Sequence, residues 1–268
     1  MNSISFRDKI VVVTGGASGI GQATALAFAA HGARVAVLDV DASLGAAVVK
    51  ASSGIDFFQA DVSDPREMQA VADGVLKRYG RPADILVSNA GIEDNRSGNL
   101  LTMPDAVLRK IVEVNLYGGI NSARAFAPAM PDGGKIVFVS SLQAFMVSLP
   151  GTSYQASKAG LIGVAKALAV ELGPRRINVN VICPGGVATE GMGAVRAGDN
   201  GLDDFRRNTP LGRRARSEEI AYPILFLCSE WASYMTGQIV QVDGGKSAMG
   251  MPRAGPIAIS PDDPDKQA

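Results

Sequence analysis

Short apolar runs alternate with longer segments of helical periodicity along almost the whole chain. This alternation is typical of βαβ units, in which the strands are parallel and the helices between them cover the faces of one sheet. Several runs are apolar at every position, as strands buried on both faces are. The chain is therefore predicted to have an α/β fold. The predicted strands cover residues 10–14, 34–39, 56–59, 84–88, 135–140, 178–183 and 238–242.

The segments between these runs complete the predicted fold. The chain has 268 residues but neither a Pro- or Ser-rich linker nor an internal repeat, so a single domain over residues 1–245 is predicted. We expect a Rossmann-type, doubly wound parallel sheet of about seven strands with helices on both faces. Apolar residues at helical spacing predict helices over residues 20–31, 65–79, 104–129, 152–172 and 217–229.

Two segments interrupt the pattern. Residues 186–211 are rich in glycine and show no clear period, which is typical of a lid over a substrate site or of a flexible surface excursion. Residues 246–268 combine prolines with charges and form a C-terminal tail. This tail is expected to pack loosely, to order against another subunit or to stay disordered.

Net charge and hydropathy exclude several classes of partner. Lys plus Arg and Asp plus Glu both total 26, so no long-range field attracts the chain to nucleic acid or to an anionic membrane. No apolar run approaches the roughly 18 residues of a spanning helix. The apolar run at residues 10–13 is also too short for the core of a signal peptide. We therefore expect a cytoplasmic protein without nucleic-acid or membrane partners.

Histidine and cysteine do not point to a metal. Cys183 and Cys228 stand in apolar runs and are predicted to be core residues. His31, beside Gly32, is predicted to end a helix. Since no group of His, Cys and carboxylate residues has the spacing of metal ligands, no metal is predicted.

A glycine-rich turn at residues 14–21 joins the first predicted strand to the first predicted helix. Its spacing is Gly-x-x-x-Gly-x-Gly. Such a turn lets the backbone approach a pyrophosphate without Cβ atoms in the way, and the helix that follows directs free N–H groups and its positive dipole end at the anion. The turn therefore predicts a dinucleotide site made by Gly15, Ser18, Gly19, Ile20 and Gly21.

Asp39 ends the second predicted strand, 18 residues after Gly21. A carboxylate at this place accepts hydrogen bonds from the adenosine ribose hydroxyls and repels a 2′-phosphate. Ala17, Ser18 and Val40 supply no cation for such a phosphate, so NAD is predicted rather than NADP. The alternative role for Asp39 is that of an acid at a helix N-terminus.

A tyrosine and a lysine stand four residues apart, so Tyr154 and Lys158 share one face of a predicted helix. A free phenol has a pKa of about 10, but an adjacent ammonium favours the phenolate. Tyr154 is therefore a candidate general base for alcohol oxidation and general acid for ketone reduction, with Lys158 tuning it. Ser141 follows the strand at 135–140 and is expected to hold the substrate oxygen.

These motifs occur in an order that resembles the short-chain dehydrogenase/reductase family, over roughly residues 8–245. The resemblance implies an oxidoreductase that moves a hydride between nicotinamide and an alcohol or ketone. Ser88 stands where Asn is commoner in the family, which leaves Asn89 in place. The matching positions are the turn at 14–21, Asp39, Asp61, Val62, Asn89, Ala90, Gly91, Asn115, Ser141, Tyr154, Lys158 and the segment 184–189.

The resemblance also implies roles for individual residues. Asp61 and Val62 are expected at the adenine, and Asn89 is expected to support the central sheet beside the cofactor. Asn115 is expected to hold a water in a proton relay with Lys158, which completes an Asn-Ser-Tyr-Lys tetrad. The other implied cofactor contacts are Ala90, Gly91, Tyr154, Lys158 at the nicotinamide ribose, Pro184, Gly185, Val187, and Thr189 at the carboxamide.

Substrate identity depends on residues around this constellation. The run from Asn89 to Glu93 resembles family members that act on sugars and on cyclic alcohols or ketones, so a small polar or cyclic secondary alcohol is the first hypothesis. The expected substrate contacts are Glu93, Ser141, Gln143, Gln155 and Glu190, with Phe145, Ser148 and Met192 as further candidates.

Other functions stay open. In a 3-oxoacyl-carrier-protein reductase, which would prefer NADPH, the arginines at 206, 207, 213, 214 and 216 would dock the carrier. A non-catalytic NAD-sensing protein is the alternative of another class. The family usually forms homotetramers through the helices at 104–129 and 152–172 and the strand at 238–242, and a homotetramer is expected here.

Overall fold

The computed structural model of the chain describes residues 4–93, 100–147, 151–189 and 207–249. The predicted lid at 186–211 therefore lies largely outside the described residues, as do Ser148, Glu190, Met192 and Arg206. The same is true of the C-terminal tail beyond residue 249.

One seven-stranded sheet with every pairing parallel organises the described residues. The strand order is β3-β2-β1-β4-β5-β6-β7, so the chain reverses its direction of growth between β1 and β4. The predicted Rossmann-type, doubly wound sheet is confirmed, with strand ends that shift by one residue from the prediction at several places. The strands are β1 (Ile10–Thr14), β2 (Arg34–Asp39), β3 (Ile55–Gln59), β4 (Ile85–Ser88), β5 (Lys135–Val139), β6 (Asn178–Pro184) and β7 (Ile239–Val242).

Helices connect the strands, and two differ from the prediction. The helix predicted over 104–129 ends at residue 126 and is divided by a π-helical turn at Glu113–Tyr117. A helix at 42–51 was not predicted, although Asp41 caps it by accepting hydrogen bonds from the backbone N–H groups of Ser43 and Leu44 at 2.9 and 3.0 Å. The helices are α1 (Gly19–Ala30), α2 (Ala42–Ala51), α3 (Pro65–Tyr79), α4 (Asp105–Val112), α5 (Gly118–Phe126), α6 (Thr152–Leu172) and α7 (Ser217–Cys228).

Alternate residues of the buried strands enter two hydrophobic cores, one on each face of the sheet. In β1, Ile10 and Val12 pack into the core that contains residues of α3, α5 and α6. Val11 and Val13 pack into the other core, which contains residues of α1 and α7. Because side chains alternate along a strand, a strand apolar at every position feeds both cores. Packing on both faces holds the strands in place, and so it fixes the positions of their carboxyl ends, where the site is built.

The two cysteines and the histidine lie where the sequence predicted them. Cys183 and Cys228 are buried in the two cores, as predicted. His31 caps the C-terminus of α1, also as predicted, and its Nδ1 lies 2.8 Å from the carbonyl oxygen of Ala27. No helix in the described ranges is both long and apolar enough to cross a membrane.

The core on the α3 face is expected to carry much of the stability. Met68 is 0% exposed and Leu76, on the same helix, is 46% exposed. Met68→Ala should lower the free energy of unfolding by about 2–5 kcal/mol, because it leaves a cavity between α3 and the sheet. Leu76→Ala should cost about 1 kcal/mol or less. Urea unfolding followed by circular dichroism measures both, and equal losses would contradict this account of the core.

Candidate active site

A cleft of about 1170 Å³ opens at the carboxyl ends of the strands, where the chain reverses between β1 and β4. Open α/β sheets bind their ligands at this place, because the loops after neighbouring strands diverge there. Most of the residues predicted from the sequence line it. They are Gly15, Ser18, Gly19, Ile20, Asp39, Asp61, Val62, Asn89, Ala90, Gly91, Glu93, Ser141, Gln143, Tyr154, Lys158, Pro184, Gly185, Val187 and Thr189.

Four described candidates, Gly21, Asn115, Phe145 and Gln155, do not line the cleft. Gly21 and Asn115 lie behind its wall, buried, and support residues that do line it. Phe145 and Gln155 are also absent from the lining, and their assignment as substrate contacts stays a prediction.

The glycine-rich turn has the geometry that a pyrophosphate site requires. Gly15 has a φ of +61°, and a Cβ there would lie 2.7 Å from the Cα of Ala90. A Cβ on Gly21 would lie 2.0 Å from the carbonyl oxygen of Gly15. The side chain of Ser18, the N-cap of α1, does not cap the helix, so the first backbone N–H groups of α1 can bind an anion. These residues fit a dinucleotide phosphate.

Asn89 joins the turn to the next strand of the sheet. Its Nδ2 donates to the carbonyl oxygens of Thr14 and Gly15, both at 3.0 Å. The backbone N–H groups of Asn89 and Ala90 donate to the Thr14 hydroxyl at 3.0 and 3.1 Å. The ends of β1 and β4 are thereby tied together at the floor of the cleft.

Carboxylates occupy the end of the cleft near β2 and β3. Asp39 accepts hydrogen bonds from the backbone N–H groups of Ala17 at 3.1 Å and Asp41 at 3.2 Å, so its carboxylate faces the glycine-rich turn. Asp61 accepts a hydrogen bond from Lys110 at 3.2 Å. Lys110 lines the cleft but was missed in the sequence, since it comes from α4 and no local pattern relates it to Asp61.

Ser141, Tyr154 and Lys158 meet at the opposite end. The Ser141 hydroxyl lies close enough to that of Tyr154 to act on it and lower the pKa of the phenol. Lys158 Nζ donates to the carbonyl oxygen of Val139 at 2.9 Å and lies 5.7 Å from the centre of the Tyr154 ring. The i, i+4 spacing on α6 thus brings the tyrosine and the lysine to one corner, beside the serine that follows β5.

Burial dominates the electrostatics of this corner. It raises the pKa of Tyr154 to about 12, which the Ser141 hydrogen bond opposes and the negative charge of Glu93 reinforces. Burial also lowers the pKa of Lys158 to about 8. The direction for Tyr154 is opposite to the sequence-based expectation, because burial disfavours the phenolate and is the largest contribution to the shift.

Asn115 holds the loop above this corner. Its Oδ1 accepts from the Ile92 backbone N–H at 2.7 Å, and its Nδ2 donates to the Ile92 carbonyl at 2.9 Å and to the Ser157 hydroxyl at 3.1 Å. Asn115 lies in the π-helical turn, a distortion that is frequent at functional sites. Its side chain therefore fixes the loop that carries Gly91, whose Cβ would lie 3.0 Å from Lys158 Nζ.

The described residues hold neither a cluster of metal ligands nor a reactive thiol. No group of three or more His, Cys, Asp or Glu residues within the described ranges is arranged to hold a metal. Cys183 lies near Lys158, but burial raises the pKa of its thiol to about 11, which keeps it protonated at neutral pH.

The fold and the cleft define a dinucleotide-binding α/β protein, and comparison with known proteins gives its relatives. The family model described as Enoyl-(Acyl carrier protein) reductase matches residues 15–247. The chain is 37% identical over 243 residues to a 3-oxoacyl-[acyl-carrier-protein] reductase of Thermotoga maritima, covering 88% of this chain and 97% of that protein. It is 33% identical over 251 residues to (+)-borneol dehydrogenase 1 of Salvia officinalis, covering 90% and 94%.

A solved structure has the same fold. A mutant of a Serratia marcescens short-chain dehydrogenase/reductase matches with a TM-score of 0.84 at 33% identity, covering 90% of this chain and 99% of that one. The chain therefore belongs to the short-chain dehydrogenase/reductase family, as its motifs predicted. It is an oxidoreductase of the kind that acts on CH–OH and keto groups.

The close approach at Gly21 can be tested by nucleotide binding. Gly21→Ala should weaken NADH binding at least about tenfold, because the added Cβ meets backbone that only a displaced turn can clear. Gly163→Ala is the control, since nothing lies within 4 Å of a Cβ there and the residue is also helical. The measurement is titration of NADH fluorescence. Equal affinities of the two variants would show that the turn does not contact the nucleotide.

Proposed function

We propose that the protein is an NAD(H)-dependent oxidoreductase that transfers a hydride between nicotinamide and a small polar or cyclic secondary alcohol or ketone. The observation that carries the proposal is the meeting of Ser141, Tyr154 and Lys158 in the same cleft as the glycine-rich turn. Hydride transfer needs the cofactor and an acid or base on one substrate atom, and this cleft supplies groups for both.

The chain's own residues would hold the cofactor in the cleft. The turn at residues 14–21 and the N-terminus of α1 would bind the pyrophosphate, and Asp39 the adenosine ribose. Asp61 and Val62 would line the adenine pocket, and Lys158 would contact the nicotinamide ribose. When bound, oxidised nicotinamide accepts the hydride and adds a positive charge to the site.

Tyr154 is the proposed acid and base. In alcohol oxidation its phenolate takes the hydroxyl proton, and in ketone reduction its phenol returns one. The Ser141 hydroxyl holds the substrate oxygen beside it and stabilises developing charge. Burial raises the pKa of Tyr154 and so makes the phenol a weaker acid. The positive charge of the bound cofactor would act together with that of Lys158 to favour the phenolate. Asn115 acts on the loop and, by family resemblance, on a water next to Lys158.

The preference for NAD over NADP is proposed from Asp39. Its carboxylate faces the glycine-rich turn where the adenosine ribose would lie, and it would repel a 2′-phosphate. Lys110 lines this cleft, and its ammonium donates a hydrogen bond to the Asp61 carboxylate. A lysine neutralised by a carboxylate attracts a phosphate weakly.

A second candidate is a 3-oxoacyl-carrier-protein reductase, which the Thermotoga maritima relative favours as much as the first. Its arginine patch is partly neutralised, because Arg213 and Arg216 pair with Glu219 at 2.7 and 3.8 Å. A non-catalytic NAD-sensing protein, the candidate of another class, is disfavoured by the assembled Ser141, Tyr154 and Lys158.

The assembly and location are proposed from the family resemblance. We propose a cytoplasmic homotetramer with residues 1–245 as one domain, a substrate lid near 186–211 and a tail from 246. The exposed apolar side chains of Tyr117, after α4, and Val170, on α6, support an interface along these helices, since they are 55% and 79% exposed in the single chain.

Loss of the phenol tests the reaction. Tyr154→Phe should lower kcat for alcohol oxidation by about 10²–10⁴-fold while NADH binding persists, because the variant keeps the ring but not the transferable proton. Tyr222→Phe is the control, since that tyrosine is 57% exposed on α7. NADH formation at 340 nm is measured with sugars, polyols, cyclic alcohols and hydroxyacyl thioesters. A substrate turned over equally well by Tyr154→Phe would refute the assignment.

Removal of one charge tests the cofactor preference. Asp39→Asn keeps an oxygen that can accept from the Ala17 N–H but no longer repels a phosphate, so the ratio of kcat/KM for NADP to that for NAD should rise about tenfold or more. Asp41→Asn removes a charge two residues away and keeps the cap of α2, and it should leave the ratio unchanged. An equal rise in both variants would mean that only overall charge matters.

A further inference from the structure

The amide oxygen of Gln143 is a buried acceptor at the substrate end of the cleft. Gln143 Oε1 is buried and has no hydrogen-bond partner within the described part of the chain, although its residue lines the cleft. Buried carbonyl oxygens are nearly always hydrogen-bonded. A carbonyl oxygen that loses its water on burial and gains no donor destabilises the folded protein. A ligand that brings a donor would satisfy it.

The backbone holds Gln143 beside the reacting position. Gln143 is the middle residue of a single 3-10 turn, Leu142–Ala144, which begins directly after Ser141. The Ser141 hydroxyl accepts from the Gln143 backbone N–H at 3.1 Å, and the same hydroxyl acts on the Tyr154 phenol. The backbone of Gln143 is therefore held next to Ser141, in the lining of the same cleft as Tyr154.

Glu93 supplies a second acceptor on another wall of the cleft. It follows the loop held by Asn115, and its negative charge raises the pKa of both Tyr154 and Lys158, which places it close to the same corner. An ionised carboxylate accepts hydrogen bonds but cannot donate them. The walls around the reacting position thus offer acceptors from two directions.

Apolar side chains complete the substrate end. Met146 and Val147 line the cleft and are 36% and 80% exposed in the single chain. Ile92 and Leu142 line it as well. This surface suits a hydrocarbon ring or short carbon skeleton, whereas the two acceptors suit a polar group attached to it.

We propose that Gln143 and Glu93 select secondary alcohols that carry a further hydroxyl group near the reacting carbon. The inference rests on the proposed function and narrows its substrate class. The second hydroxyl donates to the Gln143 amide oxygen or to the Glu93 carboxylate, and the carbon skeleton packs against Met146. A 3-oxoacyl thioester has a carbonyl in place of this hydroxyl. Because a carbonyl cannot donate, it would face two acceptors and be disfavoured.

The experiment compares two ring alcohols that differ by one hydroxyl. NAD-dependent kcat/KM is measured with cyclohexanol and with trans-1,2-cyclohexanediol for the wild type, Gln143→Leu and Gln143→Met. The wild type should prefer the diol by at least about tenfold, and both variants should bring the ratio close to one. Glu93→Leu should reduce it as well. Gln69→Leu, on the outer face of α3, makes the same change in an exposed residue and should leave the ratio as in the wild type.

The outcomes separate this inference from the proposed function. If both Gln143 variants keep the wild-type ratio while oxidation still requires Tyr154, the donor selection is wrong and the proposed function stands. If the wild type reduces a 3-oxoacyl thioester and oxidises neither ring alcohol, the proposed function fails and the inference fails with it. Equal binding of the two alcohols to the enzyme–NADH complex, read from NADH fluorescence, overturns the inference even without turnover.

Discussion

The hydrogen bonds between Asn89 and the end of β1 hold the point on which the cleft depends. β1 and β4 are neighbours in the sheet, although β2 and β3 lie between them in the sequence. The loop after β1 leads to one side of the sheet and the loop after β4 leads to the other, and the cleft lies between these two loops. Asn89 donates to Thr14 and Gly15, so the glycine-rich turn cannot rise into the cleft. A Cβ at Gly15 or at Gly21 would collide with neighbouring backbone. Because glycine has none, the turn can stay close to the strand ends and leave room for a nucleotide above it.

Burial then determines the electrostatics at the other end. Desolvation raises the pKa of Tyr154 and lowers that of Lys158, so the neutral forms of both groups are favoured. A charge that enters a buried site shifts the pKa values there more strongly than it would in water, because the effective dielectric constant is lower. In the proposed reaction the cofactor brings that charge. Proton transfer at Tyr154 would then be coupled to cofactor binding rather than to the pH of the solution alone.

Relatives whose names give different substrates are similar to this chain over most of its length, so the shared fold does not determine the substrate. A carrier-protein reductase and a borneol dehydrogenase are both similar to the chain over most of its length. The difference must come from side chains that vary around a constant corner. Gln143 and Glu93 line this end of the cleft, and their shared property is that they accept hydrogen bonds. In the proposed selection, this property would favour a hydroxylated alcohol over an acyl thioester.

The sequence by itself determined the features that depend on local spacing. The strands follow from apolar runs, the tight turn from its glycines, and the shared face of Tyr154 and Lys158 from the period of one helix. It did not reveal α2, whose clearest signal is the capping Asp41. Only the tertiary structure decided that Lys110 meets Asp61, that Asn115 holds Ile92, and that Gln143 lines the cleft with a buried amide oxygen. It also reversed the expected pKa shift of Tyr154. The physical reason is that these contacts join residues distant in the chain and depend on burial, which no local pattern of residues records.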